Sequence, residues 1–452
     1  MNSQTTFLDK VNNWLKNSLS LKLVAITFLM LLMLIPASMI QSIISERQSL
    51  RRQTISEVSQ KWANRQSING PILTIPITYE ERYTDDDDNE KVKEYIKYFQ
   101  ILPDDLSING KIDPTRLRRS IYEVVVYESD LDISGAFTIN KPMDKNNLKK
   151  IHYDQAFMTI GISDLRGIKN QITVKWSNQE LEVEPGSKVP ELIRSGITVL
   201  LPDLSDMIEN QFNFQMKVDL QGSQNISFTP LGKTTDITMT SEWPSPSFNG
   251  AFLPDERDVS ESGFSAQWQV LQLNRNYPQF WLGNDYNVNI RESSFGIDLL
   301  LPVNDYQKSM RSAKYGVMTI ALTFLMFFII EILHKRKIHP FQYTLVGFAL
   351  LLFYILLISI SEHLNFNKAY IISSIAVIGM ITLYSMTVFK KNKLSVMLMA
   401  ILSAVYGFIF TTMQLTEYAL LMGSVGLAVI LALTMYFTRN VNWYKLNETE
   451  NK

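Results

Sequence analysis

The stretch YGVMTIALTFLMFFIIEILHKRK, Tyr315 to Lys337, decides the architecture. From Tyr315 to Leu333 it is apolar apart from a few hydroxyls and Glu331, and three cations follow at once. A helix of about 20 apolar residues covers a hydrocarbon core of roughly 30 Å. The stretch therefore predicts a membrane-spanning helix. Working outward, five more segments qualify: Leu23 to Ile44, Tyr343 to Ile360, Ala369 to Phe389, Ser395 to Met413 and Tyr418 to Phe437. The first is read as a retained anchor, because its apolar run exceeds a signal core and no clear small-residue cleavage site follows it.

Lysine and arginine in short loops favour the cytoplasmic side. Lys335, Arg336 and Lys337 follow the second span, and Lys390, Lys391 and Lys393 follow the fourth, whereas Ser361 to Lys368 and Gln414 to Glu417 carry almost no positive charge. Both basic loops are thus expected in the cytoplasm, as are the N-terminus with Lys10, Lys16 and Lys22 and the C-terminus with Arg439 and Lys445. Arg47, Arg51 and Arg52, on the outer flank of the first span, run against this pattern. Before that span, Phe7, Val11, Trp14, Leu15 and Leu19 recur at helical spacing and predict an interfacial helix. After it, Ile55, Val58 and Trp62 extend the helix as a stalk.

Between about Asn64 and Met310 the apolar period falls to two. In FNFQMKVDLQ, Phe212 to Gln221, large apolar residues alternate with polar ones, the mark of a half-buried strand. The alternation recurs in Ile172 to Trp176, Thr235 to Trp243 and Phe264 to Val270, and Ile121 to Ser129 is apolar enough for a central strand. Turns are expected at Asn109-Gly110, Pro185-Gly186, Gln221-Gly222 and Leu231-Gly232. The fold class is a mixed membrane protein: six transmembrane helices plus a large, mainly antiparallel, sandwich-like β domain inserted between helices 1 and 2. In residue numbers, 1–22 form the cytoplasmic segment, 23–44 the first span, 45–314 the periplasmic β domain with its stalk, 315–437 a five-helix bundle and 438–452 the tail.

The 452-residue chain has a formal net charge of -1 and no cysteine. It offers no concentrated basic face for nucleic acid, and no thiol for a disulfide, a nucleophile or a metal. Nucleophile elbows, zinc helices, phosphate loops and paired-glycine fingerprints are absent from the sequence. The four histidines, His152, His334, His339 and His363, have no ligand spacing. The expectation is a non-enzymatic protein without cofactor, metal or catalytic residue, whose partners are the lipid bilayer and an envelope component. Asp85 to Asp88 read as a solvated hairpin tip rather than a calcium loop. In the spans, acids lie only at the edges. Glu331 is expected to pair with Lys335, and Glu362, His363 and Glu417 are the candidates for an outer vestibule. Ser403, Gly407, Gly423 and Gly426 suggest close helix packing.

The segment WPSPSFNGAFLPDERDVSESGFSAQW, Trp243 to Trp268, joins two predicted strands. Its prolines fix the backbone, and Trp243, Phe248, Phe252 and Trp268 form a candidate contact surface. This segment and its flanks, with KYGVMTIALTFLMFFIIEILHKRKIHPFQYTLVGFALLLFYILLISISEH, the terminal TRNVNWY, GPILTIPI and VEPGS, resemble the CreD family of bacterial inner-membrane proteins. The resemblance covers almost the whole chain. It implies a cell-envelope integrity protein of Gram-negative bacteria, associated with colicin tolerance and envelope-stress or β-lactam responses under the Cre two-component system. It supplies no catalytic or binding residues. Two other classes remain open on the sequence: a transporter or lipid-handling protein with the β domain as acceptor, and a membrane-tethered hydrolase.

Overall fold

The computed structural model describes residues 19–84, 89–139, 147–205, 208–301, 305–334, 338–415 and 418–439. It divides into two compact units, Met1–Arg51 with Val303–Lys452, and Arg52–Pro302. Most of the expected interfacial helix, the Asp85 to Asp88 tip, Lys335 to Lys337 and most of the tail lie outside the described residues.

The helices come first and last in the chain. α1 (Leu19–Trp62) is continuous over 44 residues, so the predicted span and stalk are one element. α2 (Asn287–Glu292) is a single short piece within the β-rich unit. The remaining helices are α3 (Asp305–Lys314), α4 (Gly316–His334), α5 (Pro340–Ser361), α6 (Phe366–Phe389), α7 (Asn392–Gln414) and α8 (Ala419–Thr438). Among the described residues, five helices are long and apolar enough to cross a membrane: α1, α3 with α4, α5, α6 and α7. α8 is a helix of 20 residues at the sixth predicted segment. The local starts are legible: His339 caps α5 with Pro340 in its first turn, and Asn365 caps α6 by accepting from the Lys368 amide.

Apolar side chains face outward as well as inward. On α1, Met33, Ala37, Ile40 and Ile44 form one buried seam, while Val24, Phe28, Leu31, Ile35 and Met39 are exposed. A helix apolar all round is at home in hydrocarbon rather than water. Among the described residues, Ser403 is exposed and a side chain at Gly407 would meet nothing within 4 Å. Gly426 is a close packing contact, as expected: a Cβ there would lie 2.4 Å from the Phe408 ring.

The second unit is built of strands. In chain order they are β1 (Gln66–Thr84), β2 (Glu90–Ile101), β3 (Asp105–Arg119), β4 (Tyr122–Thr138), β5 (Leu148–Ile151), β6 (Phe157–Ile162), β7 (Thr173–Trp176), β8 (Gln179–Pro185) and β9 (Gly196–Leu200). They continue with β10 (Gln211–Ser223), β11 (Asn225–Phe228), β12 (Thr234–Ser241), β13 (Pro246–Gly250), β14 (Glu256–Ser260), β15 (Gly263–Leu271), β16 (Phe280–Leu282) and β17 (Phe295–Leu299). One layer centres on β1, whose early residues pair with β11 and β6 and whose later residues pair with β2 and β5. The other runs β14-β15-β12-β3-β4-β10-β7-β8. Apart from the parallel pairs β1 with β11 and β12 with β3, the described pairings are antiparallel. Because β8 also bonds β9, the layers belong to one 17-stranded sheet folded over on itself, and the expected sandwich is joined along one side.

The alternation read in β10 holds: Phe214, Met216, Val218 and Leu220 are buried, and Asn213, Gln215 and Lys217 are exposed. β4 lies between β3 and β10, as its apolar run requires. Two turn expectations are corrected. Asn109-Gly110 lies inside β3 and Gln221-Gly222 inside β10. These glycines serve close approach, not chain reversal: a Cβ on Gly110 would lie 2.6 Å from the Met239 sulfur, and one on Gly222 would lie 2.2 Å from the Tyr127 hydroxyl. That hydroxyl is buried and donates to the Asn225 carbonyl at 2.7 Å. Gly222→Ala is therefore expected to lose about 1–3 kcal/mol, seen as a thermal midpoint lowered by several degrees in the detergent-solubilised full chain. Gly379→Ala, on α6 with no described atom within 4 Å of the added Cβ, should leave the midpoint unchanged.

Candidate functional site

The Trp243 to Trp268 segment is more structured than a connector. It contains β13, which pairs with β17, and β14, which pairs with β15. Trp243 and Trp268 are 4% and 2% exposed, so as contact residues they are corrected to core residues. The Trp243 indole donates to the Leu300 carbonyl at 3.1 Å, and the Arg116 guanidinium lies 5.0 Å from its ring centre. Half-buried Phe248 meets Trp268 edge-on at 5.7 Å and Phe264 at 5.9 Å, while Phe252 meets Phe295 at 5.7 Å. Trp268 in turn lies 5.6 Å from Phe295. β13 and β17 belong to one layer and β15 to the other, so these rings join the layers. What the segment shows to solvent is Leu253, Val259 and the rest of β14. Sequence reasoning passed over these residues because aromatic residues drew attention first.

A polar hub, also missed, stands where α1 ends. Asp164 Oδ2 accepts from the Asn64 amide at 3.1 Å and its side chain at 2.9 Å, and both Asp164 oxygens accept from Arg166. Arg166 reaches on to the Gln60 carbonyl at 2.8 Å, satisfying an acceptor left open in the last turn of α1. Fully buried Gln66 donates to the Asp164 and Gln221 carbonyls and accepts from the Asp164 amide. The Arg166 guanidinium, followed by the Asn64 and Arg166 donors, holds the Asp164 carboxyl well below the usual carboxylate range.

On the outer face of β3, β4, β10 and β7 runs an open groove of about 480 Å³. Asp105, Ser107, Lys175, Asn213, Gln215 and Asp236 give it donors and acceptors suited to a polar chain. Among the described residues no cluster of three His, Asp or Glu is placed to hold a metal.

In the helical unit, Glu362 accepts from the Tyr306 hydroxyl at 3.4 Å and lies 3.6 Å from Arg47 Nε. His363 is exposed beside it, and Glu417 lies outside the described residues. The more deeply buried carboxylate is Glu331, 8% exposed, in the last turn of α4. Lys335 lies outside the described residues, and the partners the structure gives Glu331 are Lys22 of α1, the Tyr343 hydroxyl at 3.1 Å and the Ile338 amide at 3.0 Å. Lys22 is 309 positions away, out of reach of any local pairing rule.

Two predictions follow from these geometries. A depressed carboxylate contributes stability above its unfolded pKa of about 3.9 and loses it as pH falls through the folded value. Asp164→Asn should therefore lower stability at neutral pH by about 1.5–3 kcal/mol, and the gap from the parent should shrink progressively below about pH 4. Denaturant unfolding across that range measures it. In the helices, Lys22→Met alone leaves a buried charge unpaired and should cost about 3–5 kcal/mol, whereas Lys22→Met with Glu331→Gln should recover most of it. A double-mutant cycle by thermal unfolding in detergent reads the difference.

Residues 18–444 match the family described as Inner membrane protein CreD. The chain is also 33% identical over 434 residues to Inner membrane protein CreD of Escherichia coli strain K12, covering 95% of each chain. With helices fit to cross a membrane, a large strand-built unit between the first and second of them, and this likeness along nearly its full length, the chain belongs to the CreD family of inner membrane proteins.

Proposed function

We propose that this protein crosses the inner membrane six times with both termini in the cytoplasm, and that its β-rich unit maintains or senses cell-envelope integrity from the periplasm without catalysing a reaction. The observation that carries the reading is the second unit itself: some 250 residues, Arg52–Pro302, folded around their own core between two membrane-directed helices. Such a unit is far larger than a loop needs to be. Its open polar groove and the exposed strand β14 offer surfaces for an envelope component, and the family likeness supplies the membrane setting. Tolerance to colicins and resistance to envelope stress are the phenotypes this role would produce.

A lipid-handling role for the helices is the second reading, favoured by the Arg47, Tyr306 and Glu362 cluster.

The absence of native cysteine makes the topology directly testable. A single cysteine at Leu273, 94% exposed, should react with a membrane-impermeant maleimide in intact spheroplasts, and one at Asn392 only after lysis. The opposite labelling would invert the orientation. For function, replacing residues 64–301 by a short linker while the helices still accumulate should abolish colicin tolerance and envelope protection. Protection at the parental level would reject the β-rich unit as the working part.

A further inference from the structure

The arginines after the first apolar stretch run against the charge rule used to orient the chain, and α3, in the same helical unit, carries three more cations. α3 is amphipathic. Tyr306, Ser309, Ser312 and Ala313 are buried, whereas Arg311 and Lys314 are exposed and Lys308 is half-buried with its ammonium 5.6 Å from the Phe366 ring centre. α1 converges on this helix, because Arg47 and Tyr306 meet at the same Glu362 carboxylate. Arg51 follows one turn later on α1. Among the described residues, Arg51, Lys308, Arg311 and Lys314 have no carboxylate partner; Glu362 is engaged, and Glu46 is exposed to solvent.

Like charges gathered without counterions repel one another, so a cluster of this kind needs an anion to be favourable. Its depth says which kind. Met39 and Ile43, one to two turns before Arg47, are large, apolar and exposed on α1. They mark hydrocarbon, which places Arg47 and the cations of α3 at the headgroup level, where long basic side chains keep their charge in the polar layer. Arginine adds a planar fork matched to phosphate oxygens.

We infer that Arg51, Lys308, Arg311 and Lys314, beside the Arg47 and Glu362 pair, form a binding surface for the phosphate of an anionic phospholipid headgroup. The inference does not depend on which face of the membrane this surface occupies. Each basic residue near an anionic surface contributes a favourable increment, so removing three should weaken retention at least about tenfold.

The experiment uses the full-length protein in nanodiscs of phosphatidylglycerol and phosphatidylcholine in equal amounts, with retained lipid read by native mass spectrometry. The parent is expected to retain phosphatidylglycerol preferentially. The triple variant Lys308→Gln, Arg311→Gln, Lys314→Gln should lose that preference, while Lys390→Gln, Lys391→Gln, Lys393→Gln should keep it. Restoring charge with Lys308→Arg, Lys314→Arg should preserve retention, which separates binding from any folding defect. No preference in the parent, or equal loss in both triple variants, would overturn the inference. Displacement of phosphatidylglycerol by excess inorganic phosphate would identify a free-anion site and reject the lipid assignment.

Discussion

Hydrocarbon offers no partner to a backbone amide or carbonyl, and the rest of the structure follows from that constraint. Each segment inside it must close its own hydrogen bonds, which only a helix or a closed barrel does. The apolar stretches of this chain accordingly become helices whose outward residues, such as Val24, Phe28 and Ile35 on α1, stay apolar and exposed. The residues between α1 and α3 pair across strands instead, where edges such as β14 are tolerable because water satisfies them. The same chain thus obeys two burial rules, and the change of rule marks the boundary between its two units.

The strand-built unit depends at its start on one carboxylate. Asp164 orders Asn64 and Arg166, Arg166 closes the open end of α1, and Gln66 carries the network into the first strand. Gln66 also pairs in register with Ile226, so the fixing of the helix end and the start of the parallel β1 and β11 pairing are one event. An ionised group at such a place is favourable only because both its oxygens are occupied by donors; a half-satisfied version would be worse than an apolar contact.

What could be read in the sequence were properties carried by neighbouring residues. The period of two in Phe214 to Leu220 and the long apolar runs are local signals, and the strands and helices lie where those signals put them. Glycine was misread at Gly110 and Gly222 because the same absence of a Cβ serves a turn or a tight crossing, and only the residue opposite distinguishes them. The tryptophans were misread for a related reason. An aromatic side chain has the area to anchor an interface or a core, and whether Trp268 faces a partner or Phe295 is decided by pairing across layers. The Asp164 hub joins residues about 100 positions apart, and the Glu331 ion pair joins residues 309 apart, so neither has a local signature.

These ion pairs also explain how α1 holds its register in the helical unit. Lipid tails are as apolar as leucine, so burying the narrow seam from Met33 to Ile44 gives little drive toward one axial position over another. Charge supplies what apolar contact lacks. Lys22 meets Glu331 near the end of α4, and Arg47 meets Glu362 just past the end of α5; in the sixfold crossing proposed above those ends lie at opposite membrane faces. The two cations are 25 positions apart on α1, about 37 Å along a helix rising 1.5 Å per residue. That exceeds a hydrocarbon core of roughly 30 Å by a few ångströms, the margin that puts a charge at each edge and none at the middle. Sliding α1 by a single turn, about 5.4 Å, would draw one cation away from its carboxylate into hydrocarbon and the other into water. The helix is therefore pinned at both ends by groups whose separation is set by the thickness of the membrane.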